Sequence, residues 1–274
     1  MIRIINNPEL YLDFICGFRQ DERFSDPYLL SDAQIERRVL RAPKKPDHLV
    51  LGVFDGSALT GLFVFLILAE EQYMEMIAGL SRDENAYEEL TVYLRAHYRT
   101  FQADFVFNPN NALLKSILLR EGASFLSEQQ KMLLRHLPAP MDSAGIIPLS
   151  DTFFEQYRAI HNQDLYWTAE KVAAAPERFR VLLALCGKEV VGYIDVTINE
   201  EENEPFDLFV KPEFRRRGYG RKLLARAIEL NCPRGMMLTV DTDNLPAIRL
   251  YESLGFEKEP GQNTLTAQWQ IALS

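Results

Sequence analysis

Cysteine is scarce and scattered: three in 274 residues, at positions 16, 186 and 232, with no CxxC pair and no Cys/His cluster at metal-ligand spacing. An odd count of isolated cysteines points to a reducing compartment and to no metal. Long apolar runs are also missing. The longest uncharged one, residues 62–69, is too short to cross a bilayer, and residues 1–8 lack the apolar core of a signal peptide. A cytoplasmic protein that does not engage membranes is therefore expected. Positive charge is in short supply: 30 Lys and Arg against 39 Asp and Glu leave a net charge of −9. Nucleic acid as a partner is disfavoured by that balance, whereas a cationic small molecule is attracted by it. What the chain has in plenty is core-forming material. Its 47% hydrophobic and 25% charged residues fit a folded globular protein rather than a disordered one. At roughly 100–200 residues per domain, this length favours two domains.

The chain resembles itself. Residues 206–256 align without gaps on residues 73–123, an offset of 133 (206 − 73). The alignment sets Met76-Ile77 on Phe209-Val210, Asn111 on Asn244, Ile117 on Leu250 and Gly122 on Gly255. Upstream, the Asp55-Gly56 turn before Gly61 matches the Gly187-Lys188 turn before Gly192 at an offset of 131. Each half reads as an α/β unit. In the C-terminal half, residues 146–149 form a strand, and Ser150 or Asp151 caps a helix running to His161. Residues 181–186 and 190–198 make a hairpin about Gly187-Lys188, and 206–210 is a strand stopped by Pro212. Then come a helix over 218–230, a strand over 236–240, a helix over 245–254 ended by Gly255, and a last strand over 264–271. Residues 136–145, with two prolines and a closing glycine, read as the linker. The expected division is 1–135, 136–145 and 146–274.

The strongest local signal is residues 210–224, where a strand enters a loop with two glycines and leaves it as a helix. Gly218 and Gly220 allow close backbone approach to a ligand. The first helical turn offers unpaired N–H groups and the positive end of the macrodipole, which suits phosphate. Arg215, Arg216, Arg217, Arg221 and Lys222 add cationic charge. No Gly-Lys-Ser/Thr follows, and the third glycine of the dinucleotide fingerprint is absent. A solvated helix start would also account for the arginines. About one strand further on lies Asp243-Asn244-Leu245-Pro246-Ala247-Ile248-Arg249-Leu250-Tyr251-Glu252-Ser253-Leu254-Gly255-Phe256.

Together these two segments resemble the Gcn5-related N-acetyltransferase (GNAT) family. Arg215-Arg216-Arg217-Gly218-Tyr219-Gly220 matches its R/Q-x-x-G-x-G/A hallmark, and Asn244, Tyr251 and Gly255-Phe256 match its second signature. The resemblance covers residues 146–274 directly and 1–135 through the repeat. It implies two tandem GNAT domains, each a mixed central sheet flanked by helices (an α/β, α+β-like class). It further implies acetyl-CoA as cosubstrate, with its pyrophosphate on the amides of Arg216, Arg217, Gly218, Tyr219, Gly220, Arg221 and Lys222, and with Arg215 as a further cofactor-binding residue. The pantetheine arm would pair with Leu208, Phe209 and Val210, and Asn244 would bind that arm or merely cap its helix.

For chemistry, Tyr251 is the expected proton donor to the leaving thiolate, since a phenol of pKa about 10 is neutral at pH 7. Glu204 is the preferred base, by the position of the catalytic Glu in histone-type members, with Glu200 and Asp195 as alternatives. The competing reading of residues 199–204 is a solvated acidic loop. His161 and Trp167 fall where acceptors are lined in the family but carry no assigned role. The offset of 133 sets Arg82-Asp83-Glu84-Asn85-Ala86-Tyr87-Glu88 on the phosphate loop and Leu118 on Tyr251. Lost glycines and added carboxylates predict a first half that kept the fold and lost the cofactor site. The expectation is an N-acetyltransferase acting on a primary amine of a small cationic acceptor, as a monomer or homodimer. A non-catalytic acyl-CoA sensor and a protein or peptide N-acetyltransferase are the alternatives.

Overall fold

The computed structural model describes residues 1–137, 142–163, 167–199 and 202–272. The chain forms two compact units, Met1–Gln130 with Pro260–Ser274, and Lys131–Glu259. This differs from the expected division at 136–145, and strand pairing is the reason. Gln129–Leu134 pairs with Phe256–Lys258, so residues 131–135 are built into the second unit. The last strand, Leu265–Gln270, pairs antiparallel with Gln102–Phe107 and completes the sheet of the first unit instead of the second. A strand's residue pattern fixes its type but leaves its neighbour open.

The sheet of the first unit has seven strands, in the order Ile2–Ile4, His48–Asp55, Ala58–Leu68, Tyr73–Ser81, Gln102–Phe107, Leu265–Gln270, Ser124–Phe125. All neighbours are antiparallel except Tyr73–Ser81 and Gln102–Phe107, whose parallel pairing stops at Met76 and Phe105. Beyond that point the two strands part.

The second unit carries two four-stranded sheets. One is Pro205–Val210, Glu189–Thr197, Phe179–Cys186 and Ile146–Pro148; the other is Glu202–Asn203, Gly235–Asp241, Gln129–Leu134 and Phe256–Lys258. The break between them falls at Glu204. Glu202 and Asn203 still pair parallel with Gly235 and Met236, but Pro205 has no N–H to continue the ladder. The Glu204 backbone turns to the other side, where its carbonyl accepts from Thr197 N at 2.9 Å. A bulge at Phe206, where the register skips a residue, bends the strand further away.

Alternation on the strands builds two apolar layers. Leu182, Ala184, Ile194 and Val196 face Leu223, Leu224, Ala227 and Ile228 of the Tyr219–Asn231 helix, whose spacing sets one stripe inward. Val181, Leu183 and Tyr193 face Tyr157 of the Asp151–Ile160 helix. Burying each large aliphatic side chain here stabilises the unit by about 1.5–3 kcal/mol.

The internal repeat is a structural one, with corrections. Both units carry the same two bulges, at Thr60 and Val191 and at Ile77 and Phe206. Those pairs differ by 131 (191 − 60) and 129 (206 − 77). Helix N-caps Asp83 and Gly218 differ by 135 (218 − 83), and N-caps Asn111 and Asn244 by 133 (244 − 111). The uniform offset of 133 is therefore wrong for the central strand. Between strand and helix the first unit has only Arg82 and Asp83, where the second has residues 211–218. The phosphate loop is shortened by six residues (8 − 2) rather than rewritten at equal length, so Arg82–Glu88 is not its counterpart.

Candidate active site

Antiparallel alternation decides which amides of the Pro205–Val210 strand point into the gap. Lys211 N donates inward to Val191 O at 2.9 Å. Phe209 and Asp207 therefore also point their amides inward, and the amides of Leu208 and Val210 point outward. On that outer edge the strand has no paired neighbour among the described residues. An edge with free N–H and C=O groups is a template for an extended ligand.

The edge leads into the loop. Arg216 (φ +60°) and Gly218 (φ +87°) both adopt the left-handed conformation. Glycine does so without strain, but a side chain at 216 does not, so the loop is held by its surroundings. Lys222 N bonds Gly218 O at 3.0 Å and is the first amide of the helix with an intrahelical acceptor. The amides of Tyr219, Gly220 and Arg221 are thus the unpaired first turn, a ready anion site. The cationic side chains divide by role. Arg215 donates to Val210 O at 2.9 Å, Arg221 holds Ser253 Oγ at 2.5 Å, and Lys222 pairs with Asp142 at 2.9 Å. That leaves Arg216 and Arg217, the latter over the Phe214 ring, as the side chains at the loop itself.

Tyr251 lies on the Leu245–Glu252 helix beside the same gap, its ring 6.0 Å from Phe256. Burial, and then the nearby Asp207 carboxylate, push its hydroxyl above the ordinary phenol range, so it is neutral at pH 7. Asp207 was not singled out from the sequence. The signal was there: one carboxylate inside the apolar run Pro205-Phe206-Asp207-Leu208-Phe209-Val210. Its Oδ2 accepts from Tyr193 Oη at 2.5 Å, and the Tyr193 hydroxyl also accepts from Asn162 N at 3.2 Å.

Directly across the strand pair from Asp207 is Asp195. Two opposed carboxylates repel, and His161 supplies the compensation. Its Nε2 lies 2.9 Å from Asp195 Oδ2, with both side chains fully buried. Its Nδ1 faces the Asn162 carbonyl at 2.9 Å, an acceptor only, so Nδ1 carries a proton. The pair consequently holds one further proton between His161 Nε2 and Asp195. Burial alone would lower the His161 pKa, but the Asp195 carboxylate outweighs it and the net shift is upward. Burial raises the Asp195 carboxyl against the opposing pull of His161 and Tyr157. Tyr157 Oη donates to both Asp195 oxygens, at 3.0 and 2.9 Å. The imidazole stacks on Tyr193 at 5.1 Å and 15°, fixing the ring that reaches Asp207. His161, Asp195 and Asp207 offer ligand atoms within 4.8 Å of one another, and these hydrogen bonds account for their closeness.

The remaining residues that the sequence points to are placed as follows. Leu208, Phe209 and Val210 line the gap edge, and Asn244 caps its helix by accepting from Ala247 N at 3.3 Å. Glu204 stands at the fork of the strands, its N–H donating to Thr197 Oγ1 at 2.7 Å. Asp195 is sealed off and cannot touch an acceptor, so as a base it is set aside. Glu200 lies outside the described residues. Trp167 packs against Phe179 at 5.0 Å under the Arg178 guanidinium.

The matched bulges identify the counterparts in the first unit. Tyr193, Asp195 and Asp207 correspond to Leu62, Val64 and Ala78, and Tyr251 to Leu118. None of these four can move a proton.

Residues 146–256 match the model that defines the acetyltransferase (GNAT) family. The ribosomal protein bS18-alanine N-acetyltransferase of Salmonella typhimurium is 35% identical over 85 residues, 30% of this chain and 57% of that protein. The mycothiol acetyltransferase of Streptomyces bingchenggensis is 37% identical over 86 residues, 30% of this chain and 27% of that protein. The match thus spans about half the length of the first relative and about a quarter of the second. Among solved structures, a GCN5-related N-acetyltransferase from Sphaerobacter thermophilus superposes with a TM-score of 0.66 at 14% identity, over 99% of this chain and 96% of that one. A tandem GNAT protein from the clavulanic acid biosynthesis pathway gives a TM-score of 0.58 at 14% identity over the whole of both chains. At such identities the likeness is one of fold.

Proposed function

Starting from the membership of the second unit in the acetyltransferase (GNAT) family, we propose that it transfers an acetyl group from acetyl-CoA to a primary amine of a small cationic acceptor. The observation that carries this reading is the convergence, on one gap, of a free strand edge, an anion-holding loop, a carboxylate and a neutral phenol. The residues fit the nucleotide. The amides of Tyr219, Gly220 and Arg221, with Arg216 and Arg217, would hold the pyrophosphate, and those of Leu208 and Val210 the pantetheine arm. Bound acetyl-CoA supplies an acetyl thioester with a thiol leaving group.

Asp207 is the base in this reading, with Glu204 at the fork as the second candidate. Its Oδ2 is held by Tyr193, which leaves Oδ1 to attract the acceptor ammonium and take its proton. The freed nitrogen forms a bond to the thioester carbonyl carbon as the carbon–sulfur bond breaks. Tyr251 gives its proton to the departing sulfur; the acylated nitrogen sheds its second proton, which restores the Tyr251 hydroxyl through solvent, and Asp207 releases the first. The products are an N-acetyl amide and free thiol, with one proton released. An outward strand amide would stabilise the charge that develops on the carbonyl oxygen.

A second acceptor class is favoured by one relative. The Salmonella protein is named for an alanine of a ribosomal protein, which makes a peptide N-terminus the alternative amine. A thiol-release assay with acetyl-CoA against polyamines, amino acids, aminoglycosides and peptide N-termini separates the two. Calorimetric titration with CoA provides a readout independent of turnover. CoA binding without turnover on any amine would instead support an acyl-CoA sensor, and absence of CoA binding would end the proposal.

A further inference from the structure

In the first unit the strands Tyr73–Ser81 and Gln102–Phe107 also part, after Met76 and Phe105. The resulting gap is filled from within the unit. Gly79, the bulge-matched counterpart of Leu208, donates its N–H to Asp26 Oδ2 at 3.0 Å. Asp26 Oδ1 accepts from Tyr28 N at 2.8 Å, so both carboxylate oxygens are engaged, and the residue is only 4% exposed. On the opposite lip, the buried Asn108 amide donates to Ser25 Oγ and to Glu22 O, each at 3.2 Å. Asn110 adds a second bond to Glu22 O at 3.2 Å. Segment 22–26 is therefore tied to both parted strands. Its approach is fixed by Arg82, which holds Asp21 Oδ2 at 2.7 Å and Gly17 O at 2.9 Å and stacks over Phe18 at 4.0 Å. Arg82 is also half of the two-residue link left where the second unit has its phosphate loop.

We propose that the first unit is a self-occupied acyltransferase cleft. The Asp26 carboxylate takes the strand amide that the second unit presents to the pantetheine arm, and segment 22–26 takes the space of the arm. This explains how a split sheet persists without a ligand. A buried strand amide left without an acceptor is destabilising, and Asp26 removes that penalty permanently. The first unit then acts as a fixed scaffold, and the chain takes one CoA. The role assigned to Leu208 in this comparison rests on the acyl-transfer reading; the occupancy of the first cleft does not.

Amide hydrogen exchange on the full chain, with and without CoA, tests it. Gly79 is expected to be protected without ligand and unchanged by CoA, while Leu208 and Val210 slow at least tenfold when CoA is added. Asp26→Ala is expected to speed exchange at Gly79 at least tenfold. The proposal is overturned if Gly79 gains protection from CoA, if it is unprotected in the unaltered chain, or if Asp26→Ala leaves it unchanged. Should that variant fail to fold, calorimetric stoichiometry on the unaltered chain decides: one CoA per chain supports the proposal and two refute it. If Leu208 ignores CoA, the acyl-transfer reading fails, and ligand-free protection at Gly79 still decides this one.

Discussion

Tyr251→Phe separates proton donation from packing more cleanly than any other substitution here. The ring contacts are with Phe256 and with the apolar cluster around Leu254 and Ile248, and phenylalanine keeps them. No hydrogen bond from the hydroxyl to another described residue is lost, so stability should change by no more than about 0.5 kcal/mol. What disappears is one dissociable proton beside the sulfur. Burial first, and Asp207 second, hold that proton above the usual phenol range. At pH 7 the hydroxyl is therefore protonated by at least about a thousand to one. Losing a positioned general acid lowers kcat by about 10²–10⁴, or about 3–5 kcal/mol in the barrier. Thiol release should fall by that factor, with CoA affinity within about threefold of the unaltered chain and an unchanged melting temperature. Because the shift is upward, the unaltered chain should also show no loss of rate attributable to Tyr251 between pH 7 and about 9.5. A phenylalanine variant with more than a third of the original kcat would refute the assignment. So would a loss of turnover matched by an equal loss of CoA binding, which would make Tyr251 a binding residue.

Asp207→Asn should reduce kcat/KM for the amine at least about 100-fold while CoA still binds; if only Glu204→Gln does this, the base has been misplaced. Gly218→Ala puts a side chain at φ +87° with no steric neighbour. Denaturation should therefore report only the left-handed penalty of about 1–2 kcal/mol, accompanied by weaker CoA binding. Gly220→Ala is the control for stability, because its Cβ would meet Leu250 at an ordinary 3.6 Å; the melting temperature should survive, while CoA binding should weaken because that Cβ crowds the pyrophosphate. In the first unit, burial raises the Asp26 carboxyl to about 6 from 3.8. The folded state then binds a proton more tightly than the unfolded one. The contribution of Asp26 is complete below pH 4 and falls by about 3 kcal/mol as the pH rises to about 6. Urea denaturation at pH 4.5 and 7 should show about 2 kcal/mol of that loss in the unaltered chain and none in Asp26→Asn; an equal pH dependence in the two chains would contradict it.

What could be read from the sequence was what local geometry dictates. Gly218 at a positive φ, Asn244 as a cap and Gly187 in a hairpin are each determined within a few residues. Asp207 escaped notice because its importance comes from a neighbour across the strand pair and from the fork at Glu204. The His161–Asp195 contact spans 34 positions, and no periodicity reports it. The shortened phosphate loop was hidden by compensation. The offset drops to 129 on the strand, rises to 135 at the helix and settles at 133 from Asn111 and Asn244 onward, so an ungapped alignment that matches at its far end conceals the opposite shifts before it.

The same network explains why the two units differ so completely at matching positions. Asp195, His161 and Tyr157 satisfy one another in a site closed to water. Replacing one alone strands a buried charge or donor, a loss of several kcal/mol. Intermediate states with part of the network are therefore the unstable ones, and an all-apolar set is the nearest stable alternative. Leu62, Val64 and Ala78, packed in one apolar cluster, form such a set. Both arrangements fit the same pair of bulges, so the backbone fork is a property of the strands and not of the chemistry placed on it. A fork without a ligand still exposes an amide, and the first unit meets that need with Asp26.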